Sequence, residues 1–292
     1  MHLLDGTYEL FRHHFGQPPR AADDGTEIGA TYGVITSVLA MLSGGVTHLG
    51  VATDHVIESF RNGMWPGYKS GAEVPGTLKA QFEPLEDALT ALGVLVWPMV
   101  ELEADDALAS AATVAADDGQ VEQVVICTPD KDLAQCVVGS RVVQLDRRKD
   151  VITDEDGVRE KFGVSPGSIA DWLGLVGDAA DGFPGLAGWG KRSAAVVLAH
   201  YEHIDAIPDA VRDWDPTLRK AVRGADRLAA TLAGERTLAE LFKDLATLRI
   251  DRSLLPAVAD LEWQGPTPAF EEVCRHFRST ALYERAASLA AR

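Results

Sequence analysis

The stretch "QVVICTPDKDL" (residues 123–133) joins a run of apolar, β-branched residues to two aspartates, Asp130 and Asp132. The run does not alternate between apolar and polar residues, which is typical of a strand buried on both faces of a parallel sheet. The acids follow directly at the carboxyl end of the predicted strand, and this is the end at which open α/β sheets bind ligands. The stretch therefore predicts a fold class and the sheet edge that carries the chemistry.

Four further segments repeat this pattern and alternate with helical stretches. The predicted strands are "HLLD" (2–5), "THLGVATD" (47–54), "GVLVWP" (93–98) and "RVVQLD" (141–146), with helices at about 28–42, 77–92 and 103–117. The series predicts an α/β fold with a central, mostly parallel twisted sheet flanked by helices. Helical patterns dominate after about residue 150. We expect an α/β core over residues 1–160 and a helical subdomain over residues 161–292.

Composition narrows the class of protein. The 292 residues are 46% hydrophobic and 24% charged, and they contain no apolar run approaching the roughly 18 residues of a membrane span. The start "MHLLDGTYEL" shows no secretory signal and the three cysteines form no CxxC pair, so we expect a cytoplasmic, reduced monomer. A net charge of −17 argues against nucleic acid unless the carboxylates surround bound cations.

Nine acids follow the predicted strands or lie in the later segment "GDAADGFPG". They are Asp5, Asp54, Glu103, Asp105, Asp106, Asp130, Asp132, Asp178 and Asp181. Clusters of oxygen ligands suit hard cations such as Mg²⁺ or Mn²⁺, and two ions about 4 Å apart can promote phosphodiester displacement. Glu101, the first residue of "ELEADD" (101–106), is interpreted as an acid that does not bind the metal ions. Each pair alone also fits a structural role, as a helix cap near Lys131 or as an ordinary turn at 178–181.

The segment "PGLAGWGKRSA" (184–194) predicts a hairpin that binds a nucleic-acid backbone. Its glycines allow a tight turn, and the helix "KRSAAVVLAHY" (191–201) then begins with Lys191 and Arg192. A helix N-terminus presents N–H groups to an anion, and the two cations add positive charge. The alternative is a helix–turn–helix that serves only packing.

At these motifs the sequence resembles the 5′-nuclease superfamily, which contains the 5′→3′ exonuclease domain of bacterial DNA polymerase I and the flap endonucleases. The matching stretches are "LDGTYELFR" (4–12), "ATDHVIESFR" (52–61), "GYKSG" (67–71), "LEADDALAS" (102–110), "TPDKDLAQ" (128–135) and "GLVGDAADGFPGLAGWGKRSA" (174–194). Weaker matches, "LATLRID" (245–251) and "EEVCRHFRSTALYER" (271–285), extend the resemblance over nearly the whole chain. The length implies a free-standing member without a polymerase domain.

The resemblance implies a divalent-metal-dependent 5′→3′ exonuclease and 5′-flap endonuclease that acts on branched or nicked DNA and 5′ ends, with roles in replication and repair. The nine acids would hold two or more Mg²⁺ or Mn²⁺ ions, with Asp178 and Asp181 in the second metal shell. Lys69, in a helical arch at about 61–80, would approach the scissile phosphate, and Arg61 at the arch base would be a second contact. A helix–three-turn–helix at about 174–201 would hold duplex DNA and often K⁺. Its DNA-binding residues would be Gly185, Gly188, Gly190, Lys191, Arg192 and Ser193.

The sequence departs from the family pattern at three positions. Ala72 stands where the arch motif YKxxR has its arginine, Trp189 replaces a usual aliphatic residue, and Gly182 replaces the asparagine of DNIPG. Ala72 and the acidic composition motivate an alternative, a DNA-binding protein of the same fold with weak or lost catalysis. A third possibility is a single-strand ribonuclease on a related small α/β fold, which the duplex-binding hairpin disfavours.

Overall fold

A computed structural model describes residues 1–291, and its six strands form one mostly parallel sheet in the order β3-β2-β1-β4-β5-β6. The strands are β1 (His2–Asp5), β2 (Leu49–Asp54), β3 (Leu95–Met99), β4 (Val124–Cys127), β5 (Val142–Asp146) and β6 (Val151–Thr153). β1 pairs in parallel with β2 and β4, β2 pairs in parallel with β3, and β5 and β6 are antiparallel. The predicted α/β fold class is confirmed, and β6 is a strand that the sequence pattern did not predict.

Fourteen α-helices are present within the described residues. They are α1 (Gly6–Gly16), α2 (Gly29–Ser43), α3 (Phe60–Met64), α4 (Gly76–Lys79), α5 (Phe82–Ala91), α6 (Ala104–Asp117), α7 (Glu155–Phe162), α8 (Ile169–Val176), α9 (Lys191–Tyr201), α10 (Pro216–Ala221), α11 (Ala225–Gly234), α12 (Arg236–Ala246), α13 (Ala269–His276) and α14 (Thr280–Ala290). The predicted helices at 28–42 and 103–117 are α2 and α6, whereas the stretch 77–92 is divided between α4 and α5.

The chain forms two compact units that interleave in sequence. The first comprises Met1–Ile57, Gly71–Thr128 and the chain from Arg249 onward, and the second comprises Glu58–Ser70 and Pro129–Leu248. This division differs from the predicted boundary at residue 160. The C-terminal helices α13 and α14 pack against α5 and α2 of the first unit, while β5, β6 and α7 belong to the second.

In the first unit, β1 to β4 form the parallel part of the sheet. Helix α6 packs along all four strands, α1 packs on β2, and α5 packs on β2 and β3. Leu4, Val51 and Ile126 have no exposed surface. Burial of such residues from both faces explains why these strands read as nearly unbroken apolar runs.

The second unit is built on a core rich in aromatic residues. Phe183 stacks on Phe242 with ring centroids 5.6 Å apart, and Trp214 is almost fully buried. Helix α8 packs closely along α12, and Gly174 allows this approach because a Cβ there would lie 2.9 Å from the backbone nitrogen of Lys243. Close packing of this kind fixes the position of the loop that follows α8.

The stretch predicted as an arch, at about 61–80, contains most of α3, a 3-10 turn at Gly71–Glu73 and α4. The boundary between the two units falls inside this stretch, after Ser70. Across residues 1–291, none of the helices has both the length and the apolar character needed to cross a membrane.

Candidate metal centre and nucleic-acid interface

Three carboxylates of the second unit meet in one buried cluster. Asp132, Asp178 and Asp181 each offer an oxygen, and these oxygens all lie within 4.8 Å of one another. Asp132 is 6% exposed, and its Oδ1 is buried without a hydrogen-bond partner. Buried polar atoms are nearly always hydrogen-bonded, so an unpartnered carboxylate oxygen among like charges fits a cation ligand. A set of carboxylate oxygens suits a hard divalent cation.

The cluster shifts the pKa of its own members. Burial raises the pKa of the Asp132 carboxyl well above its usual range, and the carboxylates of Asp130, Asp181 and Asp178 raise it further. Lys131 opposes this shift in Asp132. Burial lowers the pKa of Lys131, but Asp132 and Asp178 outweigh that effect, so the Lys131 pKa lies above its usual value. The electrostatics of the cluster therefore favour the binding of protons or other cations.

Two lysines already contact the cluster. The Nζ of Lys131 is bonded to Oδ2 of Asp178, and the Nζ of Lys69 lies 3.1 Å from Oδ1 of Asp181. Lys69 was predicted as a phosphate contact, whereas Lys131 was predicted only to lie near the start of a helix. Its position between two acids in "PDKDL" was the available signal, because a lysine there must lie close to both.

A tight turn after α8 presents Asp178 and Asp181. The carbonyl of Asp178 accepts from the N–H groups of Gly182 (2.9 Å) and Phe183 (3.0 Å), and the N–H of Asp178 donates to the carbonyl of Phe183 (2.8 Å). Gly182 has a φ of +82°, and a Cβ there would lie 2.0 Å from the carbonyl oxygen of Gly67. The close approach explains glycine at the position where the family has asparagine.

The same turn holds the segment that carries Lys69. The backbone N–H of Lys69 donates to the carbonyl of Asp181 (2.9 Å), and the indole N–H of Trp65 donates to the carbonyl of Gly182 (3.0 Å). Asn62 Nδ2 donates to the carbonyl of Lys69 (2.9 Å). These bonds fix the backbone from which the Lys69 side chain reaches Asp181.

Asp130 and Asp132 differ in their local contacts. Oδ1 of Asp130 accepts from the backbone N–H of Asp132 at 3.0 Å, and the Asp130 carbonyl accepts from Gln144 Nε2 at 2.6 Å. Asp132 begins a 3-10 helix, Asp132–Cys136. Asp130 thus makes the local turn contact that a structural role requires, while Asp132 contributes its carboxylate to the cluster.

The first unit carries a second group of acids at the carboxyl ends of its strands. Asp5 caps α1 by accepting from the N–H of Tyr8 (2.8 Å), and its other oxygen accepts from Thr128 Oγ1 (2.9 Å). Asp54, at the end of the neighbouring strand β2, accepts from the N–H of Ala104 at 2.8 Å. This bond ties the end of β2 to the N-terminus of α6.

Helix α6 begins within the acidic motif. Glu103 is its buried N-cap residue and Asp105 is half-buried in the first turn. Asp106 is fully buried, and its two oxygens accept from the backbone N–H groups of Glu103 (2.9 Å) and Arg249 (2.8 Å). This geometry favours a role for Asp106 in positioning Glu103, whereas Glu101 is exposed.

Arg61, predicted as a second phosphate contact, lies in a buried environment. Its side chain is almost completely buried, and its Nε and Nη2 donate to the carbonyls of Leu245 (2.8 Å) and Thr247 (3.1 Å) at the end of α12. Lysine and arginine side chains at a protein surface keep their charged ends in water. The observed contacts therefore favour a structural role for Arg61.

The predicted hairpin lies between α8 and α9, and α9 begins at Lys191 as expected. Gly185 and Gly188 have φ values of +68° and +85°, and a Cβ on Gly185 would lie 2.3 Å from the nitrogen of Gly177. Ser193 Oγ accepts from the N–H of Gly190 at 3.0 Å. Lys191 and Arg192 are exposed at the helix N-terminus.

Two residues at which the sequence departs from the family pattern, Trp189 and Ala72, differ in burial. Trp189 is buried, and its indole N–H donates to the carbonyl of Leu228 at 3.2 Å, so this residue serves packing. Ala72 is exposed in the 3-10 turn at Gly71–Glu73.

Structural neighbours share this fold. A T5 5′-exonuclease with bound zinc ions is 17% identical, with a TM-score of 0.62 and coverage of 98% of this chain and 99% of its own. The catalytic core of Rad2 in complex with a DNA substrate is 14% identical, with a TM-score of 0.64 and coverage of 99% and 91%. At such identities the likeness concerns the fold alone.

Sequence relatives and family models give evidence on the family as well as on the fold. DNA polymerase I of Pseudomonas aeruginosa is 33% identical over 264 residues, which are 86% of this chain but 27% of the polymerase. A 5′-3′ exonuclease of Aquifex aeolicus is 29% identical over 225 residues, 76% of each chain. The model of the 5′-3′ exonuclease N-terminal resolvase-like domain matches residues 1–163, and that of the 5′-3′ exonuclease C-terminal SAM fold matches residues 164–269. The chain therefore belongs to the 5′-3′ exonuclease family.

Proposed function

We propose that this protein is a divalent-metal-dependent 5′→3′ exonuclease and 5′-flap endonuclease that hydrolyses phosphodiesters of branched or nicked DNA. The observation that carries the proposal is the unpartnered, buried oxygen of Asp132 within a cluster of three carboxylates. A protein that only binds DNA gains nothing from acids that repel one another and repel phosphate. Metal ions bound to the T5 relative and DNA bound to Rad2 are consistent with this function.

Asp132, Asp178 and Asp181 would hold a divalent ion, Mg²⁺ or Mn²⁺, because all three supply oxygen ligands. In the first unit, Asp5, Asp54, Glu103 and Asp105 are the candidate ligands. Asp106 of the first unit and Asp130 of the second would position their neighbours by accepting hydrogen bonds from backbone N–H groups. Bound divalent ions would stabilise negative charge on the attacking and leaving oxygens of the phosphodiester in a two-metal mechanism.

The cations of the chain would bind and orient the DNA. Lys69 carries a partly exposed ammonium that is held beside Asp181, from which it can reach a phosphate oxygen. Lys191 and Arg192 at the N-terminus of α9 would contact the duplex backbone together with the exposed N–H groups of the helix start. Carbonyl groups of the glycine turn are candidate ligands for K⁺.

Cleavage of a 5′-labelled flap substrate with Mg²⁺, Mn²⁺ or EDTA tests the proposal. We expect metal-dependent incision near the junction by the wild type, and a loss on the order of a thousandfold in Asp132→Asn because a ligand is removed. Glu101→Gln is the matched control, since it removes an exposed acid outside the proposed site. DNA binding in EDTA should be nearly equal in all three proteins.

Two outcomes would contradict this assignment. Normal cleavage by Asp132→Asn would show that the metal ligands are misassigned. Flap binding without incision by the wild type in either metal would favour the DNA-binding alternative and would make Ala72, at the usual arginine position, the first residue to restore.

A further inference from the structure

Lys131 lies between two acids of the second unit in the chain and contacts a third. Its Nζ is bonded to Oδ2 of Asp178, a carboxylate that is 4% exposed, while the lysine side chain is 31% exposed. Asp130 and Asp132 flank it in the chain. The ammonium therefore pairs with a carboxylate that is proposed to bind a metal ion.

The charges of the second unit's cluster limit what it can bind while Lys131 stays in place. The three carboxylates of the cluster lie beside two ammonium groups, that of Lys69 at Asp181 and that of Lys131 at Asp178. A divalent ion that binds Asp178 must displace the Lys131 ammonium or lie next to it, and like charges at contact distance repel strongly.

We propose that Lys131 is a resident cation of this cluster, which holds Asp178 when no metal is bound and competes with a divalent ion for that carboxylate. The inference rests on the proposed assignment of Asp132, Asp178 and Asp181 as metal ligands. Lys131 is thus a positioning residue: it stabilises the metal-free cluster and weakens the binding of the ion that replaces it.

The structure also provides space for the displaced ammonium. Lys131, Trp172, Asp178 and Lys191 line a cavity of about 420 Å³ beside the turn at 177–184. Rotation of the Lys131 side chain within this cavity would move its ammonium away from Asp178.

Mn²⁺ titration followed by the EPR signal of the free ion tests the competition without DNA or turnover. Lys131→Met should bind at least one Mn²⁺ roughly tenfold more tightly than the wild type, because a positive charge at contact distance is removed. Lys220→Met, which removes an exposed lysine from α10 of the same unit, should match the wild type. Unchanged or weaker Mn²⁺ affinity in Lys131→Met would overturn the inference.

A second variant and a second measurement distinguish the proposed competition from a simple loss of stability in Lys131→Met. Without metal, Lys131→Met leaves the carboxylates less compensated, so its melting temperature in EDTA should fall, and Mn²⁺ should raise it more than it raises that of the wild type. Lys131→Arg keeps the charge and should retain the weak Mn²⁺ binding of the wild type. Tight binding by Lys131→Arg, or equal Mn²⁺-induced stabilisation of Lys131→Met and wild type, would contradict the competition.

The flap assay separates this inference from the proposed function. Absence of incision by the wild type, with tighter Mn²⁺ binding by Lys131→Met, would reject the nuclease and retain the resident cation. Normal metal-dependent incision with equal Mn²⁺ affinities would reject the resident cation alone.

Discussion

At the scale of single residues, the two cations predicted to contact phosphate differ in burial and in their partners. Arg61 is 2% exposed and donates to carbonyls at the end of α12, whereas Lys69 is 27% exposed and pairs with Asp181. Both are basic residues in adjacent family motifs, so sequence patterns predict similar roles for them. Only the environment of each side chain distinguishes a structural cation from a candidate substrate contact.

Arg61→Met should destabilise the fold by about 2–4 kcal/mol, because it removes a buried side chain whose nitrogens donate to the carbonyls of Leu245 and Thr247. Urea denaturation measures the free energy of unfolding. Arg212→Met is the control, since Arg212 is 84% exposed and pairs only with its neighbour Asp213 among the interactions described. Equal stability of Arg61→Met and wild type, together with weaker DNA binding, would restore the predicted phosphate contact.

At the scale of elements, the turn between α8 and α9 is the segment on which the candidate site depends. It carries Asp178 and Asp181, and it fixes the Lys69 backbone by a hydrogen bond to the carbonyl of Asp181. Gly182 and Gly188 both have positive φ, but their surroundings differ. A Cβ on Gly182 would lie 2.0 Å from Gly67 O, whereas one on Gly188 would meet only ordinary contacts at 3.7 Å.

Gly182→Asn should therefore cost about 2 kcal/mol more in unfolding free energy than Gly188→Asn, since asparagine tolerates positive φ and only the first position is overpacked. Chemical denaturation of the two variants measures the difference. Gly182→Asn should also weaken Mn²⁺ binding, because the turn that presents Asp181 must shift. Similar stability of the two variants would show that the segment 65–69 can move away from position 182 without a loss of unfolding free energy.

At the scale of the whole molecule, charge is distributed unevenly. The net charge is −17, yet the N-terminus of α9 exposes Lys191 and Arg192 together. Binding of DNA by so acidic a chain requires cations placed locally where the backbone is contacted. Affinity should then fall with salt in proportion to the few phosphates that are neutralised.

Lys191→Ala combined with Arg192→Ala should weaken duplex binding and make its salt dependence shallower by about one unit for each phosphate that is no longer neutralised. Fluorescence anisotropy at several salt concentrations gives the slope. Arg252→Ala with Arg275→Ala removes the same charge from exposed arginines already paired with Asp117 and with Glu271 and Glu272, and it should leave the slope unchanged. A slope equal to that of the wild type in the first variant would make the hairpin a packing element.

Local patterns determined much of this protein directly from the sequence. The apolar runs identify β1 to β5, because a strand buried on both faces is apolar at nearly every position. The acids after them, and the start of α9 at Lys191, also follow from neighbouring residues. Strand β6 was missed because it is short and exposed, with Ile152 61% accessible, and α1 was missed because Asp5, interpreted as a ligand, also caps it.

Tertiary structure alone decided which of these residues meet. Asp132 is far in the chain from Asp178 and Asp181, yet the three meet in one cluster. The contacts of Lys131 with Asp178 and of Arg61 with α12 depend on how α8, α12 and the segment 58–70 pack. Residue type gives charge and hydrogen-bonding capacity, but not burial or partners. Those depend on contacts between residues far apart in sequence, which no local pattern encodes.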